Sequence, residues 1–138
     1  MPHIHEKIDF TVTVYVVNES AVLLRVHDKF KFWLGAGGHI ELDEDPNQAA
    51  IREVKEEVGL DVRLIGKMPD VAESEGYRNL IPPSFMNIHS INDTHQHCDL
   101  IYFAESDTRN VVQGETEISD EIRWFTKEEL MDPAFECK

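Results

Sequence analysis

The stretch GHIELDEDPNQAAIREVKEEVGL, from Gly38 to Leu60, carries a helix start, a helix stop and a run of carboxylates at helical spacing. Asp45, Pro46 and Gln48 make the start. An Asp at the N-cap accepts from a free backbone N–H, Pro tolerates the first helical position, and Gln three residues after the cap reaches back to it. Gly59 makes the stop, because glycine enters the left-handed conformation after a helix without steric strain. A helix is therefore expected over 46–58. With residues stepping around its axis, Glu53, Glu56 and Glu57 share an arc of roughly 100°, and Ala50, Ile51, Val54 and Val58 are assigned to the opposite side. One face reads as core and the other as acid.

A row of glutamates on a helix is ordinarily a solvated face, but here three features weigh against that. Glu56 and Glu57 fall in the last turn, where the helix dipole disfavours carboxylates by roughly 0.3–1 kcal/mol each. The helix supplies only Arg52, paired with Glu56 at i, i+4, and Lys55, which points elsewhere; such a pair contributes about 0.2–0.5 kcal/mol. Carboxylates roughly 5–6 Å apart repel by about 3 kcal/mol at an effective dielectric near 20, and by under about 1 kcal/mol in water. An enclosed face of this kind needs cations. Oxygen-only donors on one rigid element select hard divalent ions, Mg²⁺ or Mn²⁺, over zinc. Mg²⁺ shares its shell with water and substrate phosphates, so the face is suited to a polyphosphate, and the reaction it favours is attack of water on phosphorus.

Gly38, five residues, Glu44, seven residues, then Arg52-Glu53-Val54-Lys55-Glu56-Glu57-Val58-Gly59-Leu60 resembles the Nudix box, G-x5-E-x7-R-E-U-x-E-E-x-G-U with U aliphatic, at every specified position. The likeness continues upstream in VLLRV and WLGAGGHIE and downstream in EIRWFTKEEL. The resemblance implies an α/β (α+β) Nudix fold, a mixed β-sheet in an α/β/α sandwich, as a single domain over 1–138. It implies that Glu53, Glu56 and Glu57 form the divalent metal site, with the last a direct ligand and the Gly37 carbonyl a further one. Arg52 is expected to orient the neighbouring glutamate, and Glu44 to support Arg52 or a metal-bound water. The general base stays open between a helix glutamate and an acid of the loop QGETEISDE, which offers Glu115, Glu117, Asp120 and Glu121. Glu117 is favoured as extra metal ligand or base, because it precedes Trp124 by about the interval seen in relatives; Glu121 comes next.

The remainder of the chain narrows the substrates. At 138 residues and 41% hydrophobic it suits one core, with no internal repeat or low-complexity linker. A net charge of −14 repels nucleic-acid polymers and anionic membranes, while small phosphorylated compounds remain compatible if metal accompanies them. MPHIHEKIDF holds no apolar signal core and no stretch approaches a membrane span, so a cytoplasmic location is expected, with Cys98 and Cys137 as free thiols. The family resemblance leaves a homodimer open.

Strands are expected at about 8–17, 21–27, 37–41, 61–66, 85–91, 98–104 and 121–125, with a loop from Glu73 to Pro83. A last helix is expected to start at the N-cap Thr126, with Glu129 completing a capping box, and to stop before Pro133. Phe85, Asn87 and His89 alternate onto one face of their strand, where Phe85 and His89 could line a pocket with Trp33 or Tyr77 stacking on a base. Glu41 and Asp99 offer further polar contacts to a base or phosphate. His89, His95 and His97 near Cys98 raise the question of zinc, but no second ligand pair stands at finger or ribbon spacing.

The expectation is thus a Mg²⁺-dependent Nudix hydrolase, with Mn²⁺ able to substitute. It would cleave a phosphoanhydride bond in a nucleoside diphosphate linked to another group, or in a nucleoside triphosphate. Isopentenyl-diphosphate isomerases share the fold but usually need a longer chain. The alternative is a non-catalytic nucleotide sensor on the same scaffold, whose usual sign is erosion of the glutamates that this chain retains.

Overall fold

Helix α1 runs Pro46–Val58 in the computed structural model, which describes residues 7–26, 33–114 and 121–132. Its end signals act as the sequence suggests. The Asp45 side chain accepts from the Gln48 N–H at 2.9 Å, and the Gln48 side chain accepts from the Asp45 N–H at 2.9 Å. Such a cap contributes about 0.5–2 kcal/mol. Gly59, at φ 71°, turns the chain left-handed and donates to the Lys55 carbonyl.

The described residues form one mixed sheet of eight strands: β1 (Ile8–Asn18), β2 (Ala21–Val26), β3 (Trp33–Leu34), β4 (Ala36–His39), β5 (Val62–Ile65), β6 (Phe85–Asn92), β7 (His95–Ser106) and β8 (Ile122–Thr126). β1 is parallel to β7, from Ile8 opposite Gln96 to Val17 opposite Glu105. A parallel pair needs a long crossover, and α1 lies within it. β7 takes one whole edge of β1, and β8 takes one edge of β2. The chain from β3 to β4 pairs with β2 through β3 and with β1 through β4. It can do both only by entering between the diverging ends of β1 and β2. That wedge sets the glycines of β4 beneath α1.

Val12, Val14 and Val16 of β1 and Tyr102 and Ala104 of β7 pack against Ala49, Ala50, Val54 and Val58 of α1. Each fully buried valine contributes roughly 1.5–3 kcal/mol. The intervening residues of β1, Asp9, Thr11 and Thr13, alternate onto the other face of the sheet. Helix α2 is a single turn, Lys127–Leu130, capped by Thr126 and Glu129 as expected. No helix among the described residues is long and apolar enough to cross a membrane.

Three details depart from the sequence reading. The strand β3 was not anticipated, β4 begins one residue earlier than expected and ends at His39, and β7 extends to His95 and Ser106. More consequentially, Glu53 and Glu57 do not lie opposite the core. They are 2% and 1% exposed and sit in the middle of the buried stripe of α1, whereas Ile51, assigned to the core, is exposed. The cause is the glycine-rich strand beneath the helix.

Candidate active site

Gly37 and Gly38 make the room that these carboxylates occupy. A Cβ on Gly38 would come within 2.5 Å of Glu53 Oε1 and 2.8 Å of Oε2. One on Gly37 would meet the Val12 carbonyl at 2.1 Å. Only a strand with no Cβ at these two positions can pass so close to both the helix acids and β1. Gly38 and Val12 face each other across the ladder, as do Gly37 and Thr13. Antiparallel pairing alternates the direction of successive amide groups, so those of Gly37 and His39 turn away from β1. Accordingly, the Gly37 N–H donates to Glu57 Oε2 at 2.8 Å, and the His39 carbonyl accepts from Arg52 Nη2 at 3.1 Å.

Arg52 is the hub of the acids. Its Nε and Nη2 donate to the two oxygens of Glu44 at 2.9 and 2.7 Å, a fork-to-fork pair. Its Nη1 lies 2.9 Å from Glu53 Oε1 and 3.1 Å from Glu56 Oε2. Glu44 is held in turn by the Glu41 N–H at 3.0 Å. The bond from Arg52, joined by the Glu41 amide and outweighing the effect of burial, keeps the Glu44 carboxyl below the usual glutamate range. The same bond raises the pKa of Arg52, so the guanidinium stays charged. A second guanidinium reaches the site from β2, with Arg25 Nη2 3.3 Å from Glu57 Oε1.

Buried carboxylates require compensation, and removing it leaves a strongly unfavourable charge. Four carboxylates, of Glu44, Glu53, Glu56 and Glu57, meet two guanidiniums, of Arg25 and Arg52. These six groups carry a net charge of −2. Glu56, with its side chain 57% exposed, carries the acid row from the buried floor to the solvent edge. The donor set is all oxygen, and it fits a hard divalent cation better than zinc. Glu53, Glu56 and Glu57 are the side chains able to hold such an ion, with the Gly37 amide bound to the last of them.

A cavity of about 530 Å³ opens beside the C-terminal turn of α1. Its walls include Arg109, Gln113, Glu121, Ile122 and Trp124. The strap from Val111 to Gly114 rests on the helix end: the Val112 N–H donates to the Val58 carbonyl at 2.8 Å, and Gly114 passes against the Glu56 carbonyl. Ile122 is the ladder partner of Arg25, which ties this wall to Glu57. Glu121 is thus set on a rim of the cavity. Glu117, the favoured loop acid, lies outside the described residues, as do Glu115 and Asp120.

The expected substrate contacts are not gathered together. Trp33 packs edge-on against Phe125 of β8, with ring centroids 4.9 Å apart. Phe85 packs against Phe103 of β7 at 6.4 Å, and His89 bonds Asn87 on β6. The strands β1 and β7 stand between Trp33 and the other two. Tyr77 is exposed in a short bridge with Ser74. Asp99 is buried and accepts from the hydroxyls of Thr11 at 2.9 Å and Thr13 at 2.7 Å. Arg25 and Arg109 were missed, since each comes from a separate element with no local spacing to mark it. The one available signal was for Arg25: VLLRV places a cation at the end of a strand otherwise apolar.

Residues 7–136 match the NUDIX domain. A hydrolase of the NUDIX family from Clostridium perfringens superposes with a TM-score of 0.78 at 36% identity, over 88% of this chain and 83% of that one. A MutT NUDIX hydrolase from Burkholderia pseudomallei shares the fold at a TM-score of 0.66 and 17% identity, over 93% of this chain and 90% of that one. A protein of Lactococcus lactis subsp. cremoris, named a probable DHNTP pyrophosphohydrolase, is 33% identical over 102 residues, which span 74% of this chain and 57% of the relative. With the acids of the box joined through Arg52 beside the glycines of β4 and the domain match running almost from end to end, the chain belongs to the Nudix hydrolase family.

Proposed function

We propose that the protein is a Mg²⁺-dependent pyrophosphohydrolase, able to use Mn²⁺, that cleaves a phosphoanhydride bond in a nucleoside triphosphate or in a nucleoside diphosphate linked to another group. The observation that carries the reading is the row from Glu53 and Glu57, buried against Gly37 and Gly38, to the exposed Glu56. When bound, the ion cancels phosphate charge and polarises a phosphoryl oxygen. Glu53, Glu56, Glu57 and the Gly37 carbonyl hold it, with Glu117 as a further ligand. Arg52 fixes Glu53 and Glu56 relative to one another, Arg25 and the Gly37 amide fix Glu57, and a loop glutamate, Glu117 or Glu121, takes the proton of the attacking water.

Arg109, Gln113 and Trp124 line the cavity next to Glu121, which makes it the better berth for the substrate, with Phe85 and His89 left to outer contacts. The name of the Lactococcus relative favours a triphosphate substrate and release of pyrophosphate. The enzyme acts on small phosphorylated compounds in the cytoplasm, and its high negative charge keeps polymers away.

The test is a panel of nucleoside triphosphates, DHNTP, dinucleoside polyphosphates, nucleotide sugars and ADP-ribose with Mg²⁺, scored for phosphate and pyrophosphate beside Glu57→Gln. One compound should turn over, and the variant should lose more than the roughly 10–100-fold that removal of an outer-shell partner costs. No product from any compound, with the protein folded and binding Mg²⁺, would overturn the nucleotide substrate in favour of a non-nucleotide diphosphate or of the nucleotide sensor.

A further inference from the structure

On the sheet face turned away from α1, β1 and β7 bring together side chains that the proposed reaction does not use. Asp9 stands opposite His97 in the parallel ladder, and His95, two residues before His97, alternates onto the same face. The ligating atoms of Asp9, His95 and His97 all lie within 4.8 Å of one another. Asp9 is 1% and His95 6% exposed. The His95 and His97 rings meet edge-to-face, with centroids 5.2 Å apart. His39 arrives from β4 with Nε2 3.0 Å from Asp9 Oδ2 and its ring 5.1 Å from that of His97.

We propose that Asp9, His95 and His97 form a binding site for a borderline transition-metal ion of the Zn²⁺ class, with His39 as the positioning partner of Asp9. Two imidazole nitrogens and one carboxylate oxygen are a donor set that zinc accepts and Mg²⁺ does not favour. Zinc–nitrogen bonds of about 2.0–2.1 Å space tetrahedral donors roughly 3.4 Å apart, so the donors need approach by at most about 1.4 Å, within reach of side-chain rotation. A carboxylate ligand held by a further polar group is the usual second tier of such sites. The sequence shows no second ligand pair at finger or ribbon spacing. The third ligand instead comes from β1, through the parallel ladder.

The ion would tie the start of β1 to the start of β7. Through His39 it would also brace β4, the strand whose His39 carbonyl holds Arg52 and whose Gly37 amide holds Glu57. The site does not depend on the proposed hydrolysis, since its ligands share nothing with the glutamates of α1.

Co²⁺ titration of the metal-free full chain is the test, because tetrahedral Co²⁺ absorbs strongly in the visible. One Co²⁺ per chain should bind with that spectrum, yield to Zn²⁺ and resist excess Mg²⁺. Asp9→Asn and His97→Gln should each weaken binding at least tenfold, while Glu57→Gln leaves it unchanged. Circular dichroism establishes that each variant is folded; should His97→Gln fail to fold, the isosteric Asp9→Asn carries the comparison. The proposal falls if the folded protein binds no stoichiometric Co²⁺, if Glu57→Gln or Mg²⁺ abolishes the spectrum, or if the spectrum survives Asp9→Asn.

Discussion

Toward α1 the central sheet buries Glu53 and Glu57 beside valines, and on its other face it buries Asp99 beside threonines. The two settings differ in what answers the charge. Asp99 is met by two neutral hydroxyls from β1, which tie β7 to β1 and complete the arrangement within the fold. The helix glutamates are met by guanidiniums from two elements and a glycine amide, in space that exists only because β4 has glycine at 37 and 38. Their group still carries net negative charge. A buried acid settled by hydroxyls holds strands together, whereas the helix acids keep a net negative charge that the proposed cation would answer.

Gly38→Ala strikes the helix side of this contrast and should have the largest effect. The new methyl would overlap the Glu53 carboxylate, which Arg52 holds, so the carboxylate must shift. Displacing a reacting group by about 1 Å can cost on the order of 100-fold in rate. Overpacking costs roughly 1–3 kcal/mol of stability. Turnover with the substrate found in the panel should therefore collapse while the circular dichroism spectrum and a cooperative melt persist. Wild-type turnover in this variant would mean that the glycine space around Glu53 serves packing alone.

Thr13→Val strikes the other side. It preserves shape and β-branching but removes the 2.7 Å bond to Asp99 Oδ2. A hydrogen bond to a charged group is worth about 1.5–3 kcal/mol, which in a chain of this size lowers the melting temperature by several degrees. Turnover should stay at the wild-type level. A fall in rate with no fall in melting temperature would move Asp99 from the scaffold to the substrate, restoring the contact that the sequence first suggested.

The helix end signals were legible because they are local. Asp45 and Gln48 cap each other across three positions, Gly59 reaches back four to Lys55, and Thr126 and Glu129 act over the same short range. The box residues were legible for the same reason, since helical spacing carries Arg52 to Glu56. The burial of Glu53 and Glu57 was not. Helical periodicity sorts residues by polarity and sends glutamates outward; what brings them inward is the wedge of β4 between β1 and β2, a property of the sheet. Adjacent glycines before the helix were the visible trace of it. Arg25, Asp9 and His39 were hidden for the complementary reason: Asp9 and His39 meet only through the pairing of β1 with β4, and Arg25 meets Glu57 only once α1 has packed on the sheet.

The smallest effect should come from Glu44, which stands at the edge of the acidic cluster and shows how its charge is managed. Arg52 binds both oxygens and holds the carboxyl below its ordinary value. Between the folded and unfolded pKa values the unfolded chain binds more protons, so stability falls as the solution is acidified. The contribution is complete above the ordinary glutamate value of about 4.3 and disappears as pH drops through the lower folded value. Glu44→Gln has no proton to take up. In metal-free protein it should melt a few degrees below wild type near neutrality, and the two curves of melting temperature against pH should converge as the solution is acidified below the ordinary glutamate range. Parallel curves would show that Arg52 is held by Glu53 and Glu56 well enough without Glu44, and that the clamp is built from the helix alone.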